Sequence, residues 1–507
     1  MSKFVRWARA KSLWSFPINT TAYPLKDWME NPHINLAPHQ SDLLIFSGSL
    51  SAKFAPHLRS IYEKMASPKW VIALGSGAIS GAPFRGPTTC TSVSHVLPIH
   101  LVIPEFPPHP ETFARNLDFL RELIKDESAT APADPWPSQA QLPEEDYENI
   151  GPWLPDAYTP LKFKLSLEGE RIIRADAQCG FTHRGIEKSC ETKTWKQIGA
   201  LAYHIDELNG HQTASAFYLA IEKLAGIEVP PRAQFLRVIA NEFNRMKTHL
   251  TGLLHFLKQV GDQHFSSKIL ELNSEIMEYE KRFSGHLYSK NYCIFGGVKL
   301  DVTPGLYDEL LDFCDSFSQK VKRCESFLSK NLSWVKQTRN RGIITKEEAL
   351  DYGLSGPNLR ASGIHWDLRK HQPYFAYNEL DFDPILGTVG DSFDRYWVAI
   401  QEVLQSLDLI RQSLKKLPYG PIVTTNLPDL DTVTLRNCSL YQAVESSYGE
   451  WGLFLTTNGS HKPERFRIRT PGFPLLCLVG DKLKEKNRSE TLEFFASFNL
   501  RPESIDR

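Results

Sequence analysis

The sequence predicts an α/β N-terminal domain built on a parallel sheet, followed by a larger, mainly helical α+β domain. Short apolar runs at 41–48, 69–75 and 100–103 alternate with amphipathic stretches at 55–65 and 110–124. Strands alternating with helices in this way form a parallel sheet covered on both faces. A Pro-, Ala- and acid-rich stretch then breaks the rhythm at 126–160 and reads as an extended linker. Beyond it, 161–507 opens on a hairpin pattern, 162–167 and 171–177 about the turn Glu168-Gly169-Glu170, and continues as long helices with apolar stripes at 198–225, 232–260, 266–283 and 307–331. The expected domains are therefore 1–125, the linker 126–160, and 161–507.

Composition narrows the functional classes. With 58 basic against 59 acidic side chains, no bulk charge draws the chain to nucleic acid or to an anionic membrane surface. No apolar run approaches the roughly 18–20 residues that span a bilayer. The start, MSKFVRWARAKSLWSF, is basic and amphipathic, with no long apolar core or small-residue cleavage site. The expectation is a cytoplasmic protein whose membrane contact comes through partners. The 8 cysteines, at 90, 179, 190, 293, 314, 324, 438 and 477, stand singly with no CxxC. That spacing argues against zinc ribbons, dithiol redox motifs and local iron–sulfur loops.

The chemistry-bearing residues concentrate in QCGFTHRGIEKSCETKTW, 178–195, and the helical run after it. His183, Arg184, Glu187 and Lys188 surround Gly180 and Gly185, and His204, Asp206, Glu207, Asn209 and His211 follow. This dense polar cluster is the candidate floor of an active site. On a continuous helix, His204, Glu207 and His211 would share one face and could form a His-Glu-His zinc or iron site. Alternatively, they hydrogen-bond or pair with Arg184 or Lys188. His183 reads either as a general acid/base or as an anchor of the hairpin. At the strand ends, 48–53, 75–85 and 104–109 are the loops that would line a crevice. Gly75-Ser76-Gly77 among them lacks the spacing of a phosphate-binding loop. Trp136, Tyr147 and Trp153 could make the linker a partner-binding segment.

The succession SLWSFPINTTAYPLKD, SDLLIFSGSLSAKFAPHLRSIYEKM, PKWVIALGSGAISGAPF and LPIHLVIPEFPPHPE resembles the small, iron–sulfur subunit of membrane-bound group 4 nickel–iron hydrogenases and its counterpart in respiratory complex I. The resemblance implies a flavodoxin-like domain in which four cysteines hold a 4Fe–4S cluster. By motif, those cysteines fall on Tyr23, Lys26, Gly77 and Phe106, and none of these side chains replaces a thiolate. Cys90 alone cannot hold a cluster.

A second resemblance covers nearly all of 161–507. GFTHRGIEK, AIEKLAGIEVPPRAQFLRVIANEFNRMKTHL, FGGV, GLSGPNLRASGIHWDLRK, YNELDFDPILGTVGDSFDRY and VESSYGEWGLFLTTNGSHKPERFRIRTPGF recur in order. They are similar to the large subunit of group 4 hydrogenases and to the 49-kDa-type quinone-site subunit of complex I, so the chain resembles a fusion of both subunits. In the hydrogenase branch, two CxxC pairs hold nickel and iron. Here they fall on Asp206 and Asn209, and on Arg501 and Ser504. In the complex I branch the same cavity holds a quinone headgroup. His183 matches its histidine and Asp206 its aspartate, while the tyrosine position falls on Glu207, with Tyr203 one turn earlier. Arg360, Arg369, Asp381, Asp383, Asp391, Asp394 and Arg395 lie in motifs of both branches, several of them expected in buried ion pairs.

The resemblance implies a peripheral subunit of a complex I-like or energy-converting-hydrogenase-related assembly on the cytoplasmic face of a membrane. Its partners would be integral-membrane, antiporter-like subunits. The expected role is coupling or structural, with no cofactor of its own. The alternative is an oxidoreductase subunit that uses His183, Asp206 and Glu207 on a quinone, or at a single zinc or iron ion.

Overall fold

The N-terminal strands Ser15–Asn19 (β1), Leu43–Ser47 (β2), Trp70–Leu74 (β3) and Leu101–Ile103 (β4) form one parallel sheet in the order β1-β2-β3-β4. Every residue of β2 is buried, as expected for a strand covered on both faces. Ala55–Lys64 (α1), Gly75–Ser80 (α2) and Pro110–Lys125 (α3) supply the covering helices. The computed structural model describes residues 13–20, 38–81, 89, 92–104, 110–125, 148–151, 161–285, 291–484 and 486–506. Tyr23, Lys26, Cys90, Phe106, Trp136, Tyr147 and Trp153 fall outside them.

The predicted linker carries structure at its end. Glu148–Ile150 (β5) pairs antiparallel with Lys162–Glu168 (β6), Glu148 standing opposite Leu165. With Arg171–Gln178 (β7) these strands form a sheet in the order β5-β6-β7. The end of the stretch read as a linker thus carries a short strand, because backbone groups so close to β6 find ladder partners.

The chain divides into two compact units: Met1–Leu165 with Asp176–Ser189 and Ile505–Arg507, and Ser166–Ala175 with Cys190–Ser504. In the first, one face of the parallel sheet buries Phe16, Phe46, Phe54, Leu58 and Phe181 in a common core. Phe181 belongs to the polar candidate stretch, and its burial ties that stretch to the sheet at roughly 2–3 kcal/mol of transfer free energy.

After Ile186–Cys190 (α4), the second unit is mainly helical, with Trp195–Ala202 (α5), Gly210–Ala225 (α6), Pro231–Val260 (α7), Gln263–Ser284 (α8) and the short strands Cys293–Ile294 (β8) and Gly297–Val298 (β9). Pro304–Lys330 (α9), Leu332–Thr338 (α10), Lys346–Asp351 (α11), Gly356–Ala361 (α12), Leu368–His371 (α13) and Ser392–Lys416 (α14) follow. Cys438–Ser446 (β10), Gly449–Thr457 (β11) and Pro463–Arg469 (β12) make an antiparallel sheet in chain order. Gly472–Lys482 (α15), Thr491–Ala496 (α16) and Pro502–Asp506 (α17) end the described chain. The apolar core joins α7, α8, α9 and α14 through residues such as Phe243, Ile276, Phe313 and Val403.

The predicted helix 198–225 is broken. Thr194 and Gln197 close a capping box on α5, which ends at Tyr203, and α6 starts only at Gly210. Between them the Leu208 carbonyl accepts from Asn244 Nδ2 and from Thr248 Oγ1, both on α7. Thr213 Oγ1 donates to the freed Ala202 carbonyl at 2.7 Å. Tertiary hydrogen bonds replace the helical ladder across 203–209.

Candidate functional site

In the first unit the candidate stretch folds around Asp506. The Gly180 amide donates to its Oδ1 at 2.5 Å, and the Thr182 amide and hydroxyl donate to its Oδ2 at 2.8 and 2.6 Å. Gly180 has φ +99°, a conformation that favours glycine and turns its amide inward. His183 Nδ1 lies 2.5 Å from the Asp506 carbonyl oxygen. A carbonyl only accepts, so Nδ1 carries the hydrogen and Nε2 is left as the acceptor of the neutral ring. Burial pushes the Asp506 carboxyl up, against the donors on Thr182 and Gly180. Lys53 Nζ donates to the Cys179 carbonyl at 2.8 Å and sits over the Phe181 ring, and Ser51 Oγ donates to the Phe181 carbonyl. Glu187 and Lys188 lie on α4.

Of the four positions that the resemblance assigns to cluster cysteines, Gly77 is described. A Cβ added there would lie 2.8 Å from Gly48 C and 2.9 Å from Ser49 N. Backbone fills the space a cysteine side chain would need.

In the second unit, Asp206 and Asn209 bond to each other: Asn209 Nδ2 donates to Asp206 Oδ2 at 3.0 Å, and its amide to Oδ1 at 3.3 Å. His204 Nδ1 is 3.7 Å from Glu207 Oε1, both in the break between α5 and α6. His211, on α6, turns elsewhere, its Nε2 3.5 Å from Glu280, which also takes Lys247 Nζ at 2.9 and 2.8 Å. The expected common face of His204, Glu207 and His211 is therefore absent, because no continuous helix carries them. Among the described residues, no three His, Cys, Asp or Glu side chains are grouped to hold a metal ion. Burial pushes the Glu280 carboxyl up, but Lys247 and His211 outweigh it and hold it down to about 2. Tyr203 Oη donates to the Cys293 carbonyl at 3.0 Å and accepts from its amide at 2.6 Å, which occupies it structurally.

Arg501 and Ser504 come to the same unit from the far end of the chain. Arg501, 4% exposed, donates through Nε to Tyr448 Oη at 3.1 Å, and Ser504 Oγ donates to the Arg501 carbonyl at 2.9 Å. Burial pushes the Tyr448 phenol well up; Arg501 lowers it, and the carboxylates of Asp206 and Glu503 raise it. Asp206 and Arg501 thus act on one phenol, with Glu503 as a third charged group. Sequence reasoning missed Tyr448 and Glu503, which no local spacing ties to Asp206.

The shared motifs supply a buried ionic network. Arg360 bonds Glu402 and Glu445, each at 2.7 Å, and Arg369 bonds Asp367 at 2.7 Å and Glu242 at 3.3 Å. Arg237 grips Glu222 at 2.8 and 2.6 Å, and the Gly296 amide donates to the same carboxylate at 2.8 Å, which fixes FGGV. Arg395 is held differently: it donates to the Gly342 and Gly390 carbonyls and to the Ser392 and Ser497 hydroxyls. Burial pushes its guanidinium down to about 9, against Asp391 and Asp394. Asp391 caps α14, while Asp381 and Asp383 are exposed.

Residues 260–507 match the family described as respiratory-chain NADH dehydrogenase, 49 Kd subunit, and residues 14–120 match NADH ubiquinone oxidoreductase, 20 Kd subunit. The D-type NADH-quinone oxidoreductase subunit of Orientia tsutsugamushi (strain Boryong) is 35% identical over 382 residues, covering 71% of this chain and 96% of that protein. The chain belongs to this family of NADH-quinone oxidoreductase subunits. The NADH-ubiquinone oxidoreductase 49 kDa subunit of Reclinomonas americana is 38% identical over 347 residues, 64% of this chain and 88% of that protein. The D-type protein of Syntrophobacter fumaroxidans is 34% identical over 359 residues, 71% and 96%. With the 20-kDa match ahead of this region, the chain is a fusion of the two kinds of subunit.

The residues do not fit the metal groups that hydrogenase resemblance would bring. At the positions that the resemblance assigns to the nickel–iron thiolates stand a carboxylate, an amide, a guanidinium and a hydroxyl, and the carboxylate and amide bond each other. A buried guanidinium at such a position repels a metal cation. At Gly77, which the resemblance assigns to a cluster cysteine, there is no room for a cysteine Cβ.

Proposed function

We propose that the chain is a coupling or structural subunit of a complex I-like, energy-converting-hydrogenase-related assembly, without a nickel–iron or 4Fe–4S centre of its own. The observation that carries this reading is Arg501 against Tyr448, with Asp206 and Glu503 beside the same phenol. In this reading an organic ion cluster stands where the resemblance puts metal ligands, and buried pairs such as Arg237–Glu222 help to maintain the scaffold. Its partners in this reading are integral-membrane, antiporter-like subunits, and it docks to them on the cytoplasmic face. No helix among the described residues is long and apolar enough to cross a membrane, so partners would supply that contact. Affinity capture of the tagged full chain from detergent-solubilised membranes tests this. Stoichiometric recovery of polytopic subunits is expected, and recovery of the chain alone would contradict the reading.

One observation favours a second reading. His183 is oriented through Nδ1, which leaves Nε2 as an acceptor. As an oxidoreductase subunit, the chain would act on a quinone at His183, with electrons from elsewhere. Quinone-dependent turnover by the captured assembly, lost in His183→Ala, would favour this reading over the first.

A further inference from the structure

A different cluster carries an imbalance of charge. Arg245, Arg360 and Arg369 interleave with Glu242, Asp367, Glu402 and Glu445, and all seven side chains are 0–1% exposed. Three cations against four anions leave one negative charge uncompensated. Tyr377, Ser406 and Gln405 add only neutral hydrogen bonds. The other group among the described residues that pairs with these carboxylates is His249, whose Nε2 lies 2.9 Å from Glu402 Oε2. Burying net charge in a low-dielectric interior is costly, and taking up a proton removes that cost.

The same imidazole borders a small cavity. His249 lines a cavity of about 40 Å³ with Asn358, Arg395, Tyr448, Ser497 and Asn499. The space is large and polar enough for water. We propose that the network is a binding site for a single exchangeable proton, and that His249 is its port to the water-sized cavity beside Tyr448. The groups that face His249 are Glu402 and Arg395 from α14, Arg360 from α12, Arg245 from its own helix, and Tyr448 from the turn between β10 and β11.

The extra proton comes from solvent. A hydronium in the cavity gives it to Nδ1 and is left as water, while the Nε2 hydrogen goes to Glu402, so at the ring one N–H bond forms and one breaks, one O–H bond breaks on the hydronium and one forms on Glu402, and the ring stays neutral. Neutralised Glu402 releases Arg360 toward Glu445, whose Oε1 is 2.7 Å from Arg360 Nη1 while Asp367 Oδ2 crowds the same nitrogen at 3.4 Å. The proton belongs to the network as a whole. Its resting place is Glu445, which burial and Asp367 push up, against Arg360, whereas burial pushes His249 down, against Glu402, and Arg360 and His249 outweigh burial at Glu402 and hold it well below its usual range.

Infrared spectra of the full chain in H2O and D2O, with ¹⁵N spectra of its labelled histidines, test this. A protonated-carboxyl stretch lost in Glu445→Gln is expected near neutral pH. Finding all four carboxylates ionised, or His249 as an imidazolium, would overturn the proton site. His249→Gln keeps a donor for Glu402 but cannot relay a proton, so hydrogen–deuterium exchange of the carboxyl proton should slow about tenfold or more. Unchanged exchange in a variant with native circular dichroism would overturn the port.

Discussion

Arg501 Nε donates to Tyr448 Oη across 3.1 Å in the buried interior, joining the residue just before α17 to the turn between β10 and β11. Removing one partner of a buried charged cluster leaves the others desolvated and unmatched. Arg501→Ala should lower the unfolding free energy by about 3 kcal/mol, and Arg501→Lys by roughly half of that, because lysine restores the charge but not the planar donor. Urea midpoints with unchanged slopes would measure both, and a neutral Arg501→Ala would contradict the assigned cluster.

Gly77→Cys would put a thiol at a position that the resemblance assigns to a cluster cysteine, but its Cβ would meet Gly48 C at 2.8 Å and Ser49 N at 2.9 Å. The expected result is a loss of about 1–3 kcal/mol from overpacking against backbone. Iron reconstitution followed by absorption spectroscopy should give no cluster. A stable variant that takes up iron would contradict the crowding at Gly77.

Acid should weaken the second unit through Glu280. Its folded carboxyl is held down to about 2, against an ordinary value of 4.5. A depressed folded value means that the stabilisation is fully present above the unfolded value and lost as pH falls through the folded one. Wild-type stability should therefore drop across that window, with Glu280 contributing roughly 2–4 kcal/mol of the change. Glu280→Gln should be less stable at neutral pH and should flatten the slope below pH 4.5. An unchanged slope in denaturation titrations would exclude Glu280 as the source.

Asp506 holds three donors from Gly180 and Thr182. Asp506→Asn replaces one acceptor oxygen by a donor facing N–H or O–H groups, with an expected cost of about 1–3 kcal/mol. The ¹⁵N shifts of His183 should change with it, since the ring is anchored to the same residue's carbonyl. An unchanged His183 environment would show that the ring is positioned by other contacts.

The elements with strong local periodicity were legible in the sequence: β2 as a continuous apolar run, α7 as a long striped helix, and the 162–178 hairpin by alternation. The break at 203–209 was not, since it depends on Asn244 and Thr248 arriving from α7. A signal existed in Asn209-Gly210, a turn-forming pair. Arg360 and Arg369 could be anticipated as buried charges from their motifs. Their partners Glu402, Glu445 and Glu242 lie on other elements, and neither spacing nor composition pairs them. Asp506 escaped notice because its ligands lie 324 to 326 residues away.

In the proposed reading, protein groups around Arg501 stand where the resemblance puts the redox centre of group 4 hydrogenases. Nickel and iron determination on the full chain, purified anaerobically, together with its visible absorption spectrum, tests this most directly. The expected result is substoichiometric nickel and iron attributable to this chain, and no cluster absorbance. Stoichiometric nickel and iron, or a cluster spectrum that disappears in Arg501→Ala or Asp206→Ala, would contradict it.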